Sequence, residues 1–152
     1  MSTQTFNLSP IGYVRQQEDG FVLELEQRYV PALKELEGFS HVQVFWWCHL
    51  VDSDEHRNIV ECDKPYKKAP EKVGIFATRS PVRPNPIAVT PVPIIKIDFE
   101  QGKIHIPFLD AENDSPILDL KPYYPFDRIK EVSVPEWCQH WPQWYEDSAT
   151  FD

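Results

Sequence analysis

HVQVFWWCHLV, residues 41–51, carries three valines, three aromatics and no glycine or proline. β-Branched and aromatic side chains fit a pleated, mostly buried surface, so the stretch predicts a central strand. Shorter strand signals flank it. Ile11–Arg15 reads as a strand, and Glu18-Asp19-Gly20 as a hairpin turn. Phe21, Leu23 and Leu25 then alternate with Val22, Glu24 and Glu26, the pattern of a half-buried strand. Downstream, Val73–Thr78 and Ile87–Phe99 return to strand character, with Pro91 and Pro93 confining part of the second run to an edge or a bulge. Gln101-Gly102 closes a further hairpin into Lys103–Phe108. Many short strands with frequent Pro or Gly turns predict an all-β barrel or sandwich.

Helical signals are few. Tyr29, Leu33 and Leu36 share a helical face that Gly38 ends, which predicts one short helix. Ser133-Val134-Pro135-Glu136 has the spacing of a capping box. Trp137, Trp141 and Trp144 follow at i, i+4 and i+7, and Pro142 would kink or split that helix. Three indoles on one stripe read as a docked core element more readily than as a ligand cage. Asp52–Lys72 reads as an irregular polar excursion.

A chain of 152 residues with 41% hydrophobic and 13% aromatic residues suits one packed domain spanning 1–152. No apolar run approaches the roughly 20 residues of a membrane span, and the N-terminus lacks signal-peptide features. A cytoplasmic location is expected, with no membrane partner. Cys48, Cys62 and Cys138 imply no disulfide framework. The order C-H-x6-H-x5-C from Cys48 to Cys62 matches no common zinc spacing, so no metal is expected. Without alternation of strands and helices or a GxGxxG run, a Rossmann cofactor site is not supported.

The net charge of −9 argues against a protein that coats nucleic acid nonspecifically. The balance is uneven, however. Between Glu61 and Arg83, six cations (Lys64, Lys67, Lys68, Lys72, Arg79, Arg83) face three anions. That local excess suits a phosphate-bearing partner or, equally, a solvated loop.

Two motifs carry chemistry. FATRSPVRPNPIAVT, residues 76–90, sets Arg79 and Arg83 four apart on a backbone stiffened by Pro81, Pro84 and Pro86. Arginine suits planar recognition of phosphate or carboxylate, and structural ion pairs are the alternative. In DAENDSPILDLKPY, residues 110–123, an acidic turn precedes Asp119 and Lys121, which share one face of an extended segment, with Tyr123 and Tyr124 beyond. That face could hold a polar ligand or simply form a surface ion pair.

FATRSPVRPNPI followed by D-x-x-x-x-S-P-x-x-D-L-K-P-Y closely resembles the signature stretches of the TrmO/YaeB family, also called the TsaA-like domain. IGYV, LEGFSHVQVFWWCH and the late VPEW look like further landmarks, so the resemblance runs from about Ile11 to Trp137. It implies a single-sheet β-barrel, S-adenosylmethionine bound near a homodimer interface, and methylation of N6 on the threonylcarbamoyl-modified adenosine 3′ of a tRNA anticodon. Carried over by position, it implies cofactor contacts at Arg79, Val89, His49, Leu50 and the run Asp110, Ala111, Glu112 and Asn113. Arg15 and Gln16 are a looser match.

On this expectation Asp119 takes or shares the proton of the acceptor amine, Lys121 orients Asp119 or contacts phosphate, and Tyr123, Tyr124 or Trp46 supports the exposed base. Lys64, Lys67, Lys68, Lys72 and Arg83 are the expected RNA contacts. The chain departs from the family pattern at Asn113-Asp114-Ser115-Pro116, where Asp-Gly-Thr-Pro is usual, and at Pro86-Ile87-Ala88, where Pro-Ile-Gly is usual. These changes bear on acceptor identity. A small-molecule acceptor and a non-catalytic binding barrel are the competing readings.

Overall fold

The computed structural model describes residues 3–148. Nine strands form among the described residues: β1 Gly12–Gln17, β2 Gly20–Leu25, β3 His41–Trp47, β4 Glu61–Asp63, β5 Lys72–Gly74, β6 Ile87–Pro93, β7 Lys96–Asp98, β8 Lys103–Ile106 and β9 Pro116–Pro122. Seven of them build one antiparallel sheet in the order β6-β3-β9-β1-β2-β8-β7, and β4 pairs with β5 apart from it.

The all-β expectation holds, but the expected closed barrel is corrected to an open sheet. Edge strands β6 and β7 do not pair with each other. They are consecutive in the chain, and the run that contains them bends at Ile94–Ile95. The Ile94 amide donates to Ser40 at 2.9 Å and the Ile95 amide to His105 at 2.8 Å, so the chain leaves the β3 side and joins the β8 side within two residues. Pro91 and Pro93 offer no N–H to a ladder, which is why β6 sits at an edge.

Alternation along β3 sets the two faces of the sheet. Val42, Val44 and Trp46 are buried, whereas His41, Gln43, Phe45 and Trp47 are half-buried on the outer face. The core beneath joins these residues to Val14, Leu23, Leu33, Ile104, Ile106 and Ile117. Each such side chain contributes about 1.5–3 kcal/mol by leaving water. In β2, Val22 is as buried as Leu23, so the predicted half-buried pattern gives way to burial on both faces. Gly12 is required at the β1–β2 contact, where a Cβ would meet the Glu24 carbonyl oxygen at 2.2 Å.

The predicted helix around Tyr29–Leu36 is instead two 3-10 turns, Gln27–Leu33 and Leu36–Gly38. Pro31 removes a helical donor, and Glu35, at φ 75°, breaks the run. The polar excursion contains α1, Asp54–Arg57, a single turn whose Ser53 hydroxyl accepts from the His56 amide at 3.1 Å. Beyond β5, the Val73–Thr78 run turns into a 3-10 element at Ile75–Ala77.

The C-terminal helix is also corrected. Among the described residues it holds only 3-10 turns, at Glu136–Cys138 and Tyr145–Asp147. Pro142 interrupts the stripe, and the indoles part company. Trp137 stacks on Tyr66 and Trp141 meets both rings edge-on, while Trp144 is exposed. No helix among the described residues is long and apolar enough to cross a membrane.

Candidate functional site

The end of β3 and the turn before β9 meet at one end of the sheet. Trp46 and Ile117 pair across the β3–β9 ladder, so Cys48–Val51, which follow β3, stand beside Asp110–Ser115, which precede β9. Between them lies an open cleft of about 220 Å³, lined by Trp46, Cys48, His49, Leu50, Val51, Pro81, Asp110, Ala111, Glu112 and Ser115.

Local bonding fixes both walls. On the acidic side, Asp114 takes the left-handed conformation, φ 68°. Its amide donates to the Val14 carbonyl at 2.8 Å, and the Val14 amide to the Ser115 carbonyl at 2.9 Å. The buried Ser115 hydroxyl donates to Glu112 at 2.7 Å. From β1, the Gln16 amide donates to Asn113 Oδ1 at 2.8 Å and the Gln16 side chain to the Ala111 carbonyl at 3.2 Å. Arg15 donates to the Asp114 carboxylate. Arg15 and Gln16 therefore hold the turn that lines the cleft.

The opposite wall is braced by the proline-rich loop. The Cys48 amide donates to the Pro86 carbonyl at 2.8 Å. Arg83 spans its own loop, donating to the carbonyls of Thr78 and Ser80, both at 3.1 Å. Thr78 is buried, and its hydroxyl donates to Ile75 at 2.8 Å while accepting from the Ser80 amide at 3.2 Å.

Two features mark the cleft chemically. Nδ1 of His49 is buried without a hydrogen-bond partner, a condition that costs about 1–3 kcal/mol. The Cys48 thiol is pushed above its ordinary range by burial and then by the Asp110 charge, against an opposing pull from Arg83. The sequence motifs do not single out Cys48 or Val51 for this cleft, although both line it. Their adjacency to His49 and Leu50 was the available signal.

The sequence-derived residues divide by location. His49, Leu50, Asp110, Ala111 and Glu112 line the cleft, and Asn113, Arg15 and Gln16 adjoin it. Arg79 is exposed on the loop that supplies Pro81. Val89 lies elsewhere. It pairs with Phe45, which pairs with Asp119, so the three form a lateral row on the outer face. Asp119 and Lys121 are ion-paired there at 3.0 Å, and Tyr123 lies beside His41 at the far end of β3.

Of the expected RNA contacts, Lys72 pairs with the exposed Asp63 at 3.1 Å, and Lys64, Lys67 and Lys68 are exposed on the β4–β5 hairpin. Among the described residues, no group of three His, Cys, Asp or Glu is placed to hold a metal ion.

Comparison with known proteins gives a consistent set of similarities. The profile of the tRNA-methyltransferase O N-terminal domain matches residues 5–127. A probable S-adenosyl-L-methionine-binding protein of Methanocaldococcus jannaschii is 40% identical over 122 residues, covering 76% of this chain and 90% of its own. The tRNA (adenine(37)-N6)-methyltransferase of Mus musculus is 35% identical over 104 residues, which cover 68% of this chain and 23% of the mouse protein. The crystal structure of TrmO from Pseudomonas aeruginosa superposes with a TM-score of 0.67 at 25% identity, covering 89% of this chain. The chain spans 62% of the length of that solved protein.

Proposed function

The chain belongs to the tRNA-methyltransferase O N-terminal domain family, and from that premise we propose that it is an S-adenosylmethionine-dependent methyltransferase acting on adenine N6 of tRNA. The acceptor in this reading is the threonylcarbamoyl-modified adenosine 3′ of the anticodon, and the working place is cytoplasmic. One observation carries it: the cleft gathers His49, Leu50, Asp110, Ala111 and Glu112 from two distant stretches of sequence.

The lining fits the cofactor. Asp110 and Glu112 offer carboxylates to a molecule bearing a sulfonium and an ammonium, and the exposed Leu50 offers an apolar surface. His49 adds its imidazole to the same lining. Arg15 and Gln16 keep the acidic turn in place. When bound, the cofactor supplies an electrophilic methyl group. The protein supplies position, and holding reactants in line is worth about 7–11 kcal/mol in favourable cases. The adenine amine grows acidic as it attacks, and Asp119, held by Lys121, takes that proton.

A homodimer accounts for the division of residues. Val89 and Asp119 lie on the outer face of the sheet, away from the cleft of their own chain. Two copies joined across that face would set the Val89–Asp119 row of one beside the cleft of the other.

Calorimetric titration with S-adenosylmethionine, with Arg79→Ala alongside, tests the cofactor assignment. Saturable binding lost in the variant is the expected result, followed by methyl transfer to bulk tRNA that lacks the modification. No binding at millimolar cofactor would sink the reading. Binding without transfer to any tRNA would leave the cofactor and remove the acceptor.

A further inference from the structure

We infer that Phe76 is the stacking platform on which an unstacked base of the RNA substrate rests, with Arg83 as its cationic backing. This rests on the reading of the substrate as tRNA and goes beyond it by placing the base.

A single exposed apolar residue ordinarily needs no explanation. Phe76 differs because of its surroundings. The ring is 80% exposed on the turn that opens the proline-rich loop. The Arg83 guanidinium lies over it, 5.9 Å from the centroid. That guanidinium is fixed in turn by the carbonyls of Thr78 and Ser80. An aromatic face with an immobilised cation beside it is a ready partner for a nucleobase, because every base has a π-face and arginine adds a cation–π contribution.

Position supports the assignment. Phe76 and the cleft-lining Pro81 share one short, proline-stiffened loop. Arg83 also stands close enough to the cleft for its charge to act on the Cys48 thiol. Charge agrees as well, since Phe76 lies inside the stretch from Glu61 to Arg83 that holds six cations against three anions in an otherwise acidic chain.

The aromatics that sequence alone brought forward are worse placed. Trp46 is only 5% exposed and forms part of the core. Tyr123 packs near His41, and Tyr124 is occupied by Phe39 and Phe126. His41 begins β3, whereas the cleft lies at its end.

The test uses the full chain, a fluorescein-labelled anticodon stem-loop RNA for binding, and bulk tRNA lacking the modification for methyl transfer. Phe76→Ala should weaken RNA binding roughly 5- to 150-fold, the range of one lost base–aromatic stack. S-adenosylmethionine affinity should stay at the wild-type value, and Phe76→Trp should restore RNA binding to within about threefold of wild type. Wild-type RNA affinity in Phe76→Ala, with the wild type active on tRNA, overturns the platform and leaves the function standing. No RNA binding by the wild type overturns both. A change in sedimentation of Phe76→Ala would reassign the ring to a contact between copies, which also overturns the platform.

Discussion

Arg15 on β1 grips the carboxylate of Asp114, 99 residues away, at a point where the Asp114 backbone is left-handed. The side chain thus restrains a turn whose backbone conformation glycine would adopt freely and most other residues resist. Both partners are partly exposed, so the pair itself contributes no more than about 1 kcal/mol. Two variants separate the contributions. Asp114→Gly should stay within about 1 kcal/mol of wild type, because backbone relief offsets the lost pair. Asp114→Ala loses the pair and keeps the unfavourable φ, so it should fall about 1–2 kcal/mol below Asp114→Gly. Urea denaturation of the three proteins reads the order directly, and an alanine variant as stable as the glycine one would refute it.

His49 tests whether the cleft trades stability for binding. Its orphaned Nδ1 burdens the fold. Replacement by leucine removes a buried unsatisfied atom and should leave stability unchanged or raise it by up to about 1–3 kcal/mol. Cofactor affinity should fall, by about tenfold for one lost polar contact. Thermal denaturation and calorimetry on the same preparation check both. A variant that is less stable and binds equally well would reverse the assignment.

The Cys48 thiol reports on the acidic wall. Burial raises its pKa first, and Asp110 adds to that. The Asp110→Asn substitution should therefore move the pH profile of Cys48 alkylation toward lower pH, read by mass spectrometry of the peptide containing Cys48. The wild-type thiol should react slowly at neutral pH, where little thiolate exists. An unmoved profile would mean that Asp110 and Cys48 do not share the cleft as described.

Acid stability should depend on Asp52. Its carboxyl is held below the usual range chiefly by the hydrogen bond from Arg57, with the Trp47 indole also donating at 3.0 Å. A depressed folded pKa means that the contribution is present above the unfolded value near 3.8 and is lost as pH falls through the lower folded value. Asp52→Asn should thus flatten the fall of melting temperature below about pH 4. Parallel slopes for wild type and variant would contradict this.

If the active unit is built from two copies, defects on the two faces should complement. With cofactor held well below saturation, His49→Leu and Asp119→Asn are each expected to keep about a tenth or less of wild-type methyl transfer, yet a mixture allowed to exchange should recover roughly a quarter, from the mixed dimers that retain one intact site. Sedimentation at the assay concentration shows whether dimers form. No recovery by a mixture shown to contain mixed dimers would place Asp119 and His49 in the same chain's site.

Strand positions were largely legible because β3 and the hairpins at Gly20 and Gly102 rest on local chemistry: β-branched runs, period-two burial and turn residues. Helices were not. Tyr29, Leu33 and Leu36 have helical spacing, but Pro31 and the left-handed Glu35 leave only 3-10 turns. Trp137, Trp141 and Trp144 fail for a similar reason, since Pro142 interrupts their stripe, and Tyr66 then claims two of the three rings. Closure of the sheet was beyond local pattern, because it depends on where one bend at Ile94–Ile95 sends two amides. At the site, the motifs located His49 and Asp110–Glu112, but spacing could not show that Val89 and Asp119 face the other way. Face depends on register, and the β3–β9 ladder shifts register between Phe45 and Trp46.

Among the described residues, the last strand occupies the middle of the sheet: β9 lies between β3 and β1. During synthesis, therefore, the hairpin of β1 and β2 and the pair of β3 and β6 emerge early but cannot merge laterally until residue 122 has left the ribosome. Such late, long-range pairing slows folding. The turn that forms one wall of the cleft immediately precedes β9, so the cleft is assembled in the same late event. A chain released before that point would hold half-sheets with their edges unpaired and no site at all, and a chain that can bind its cofactor has by that fact completed its core.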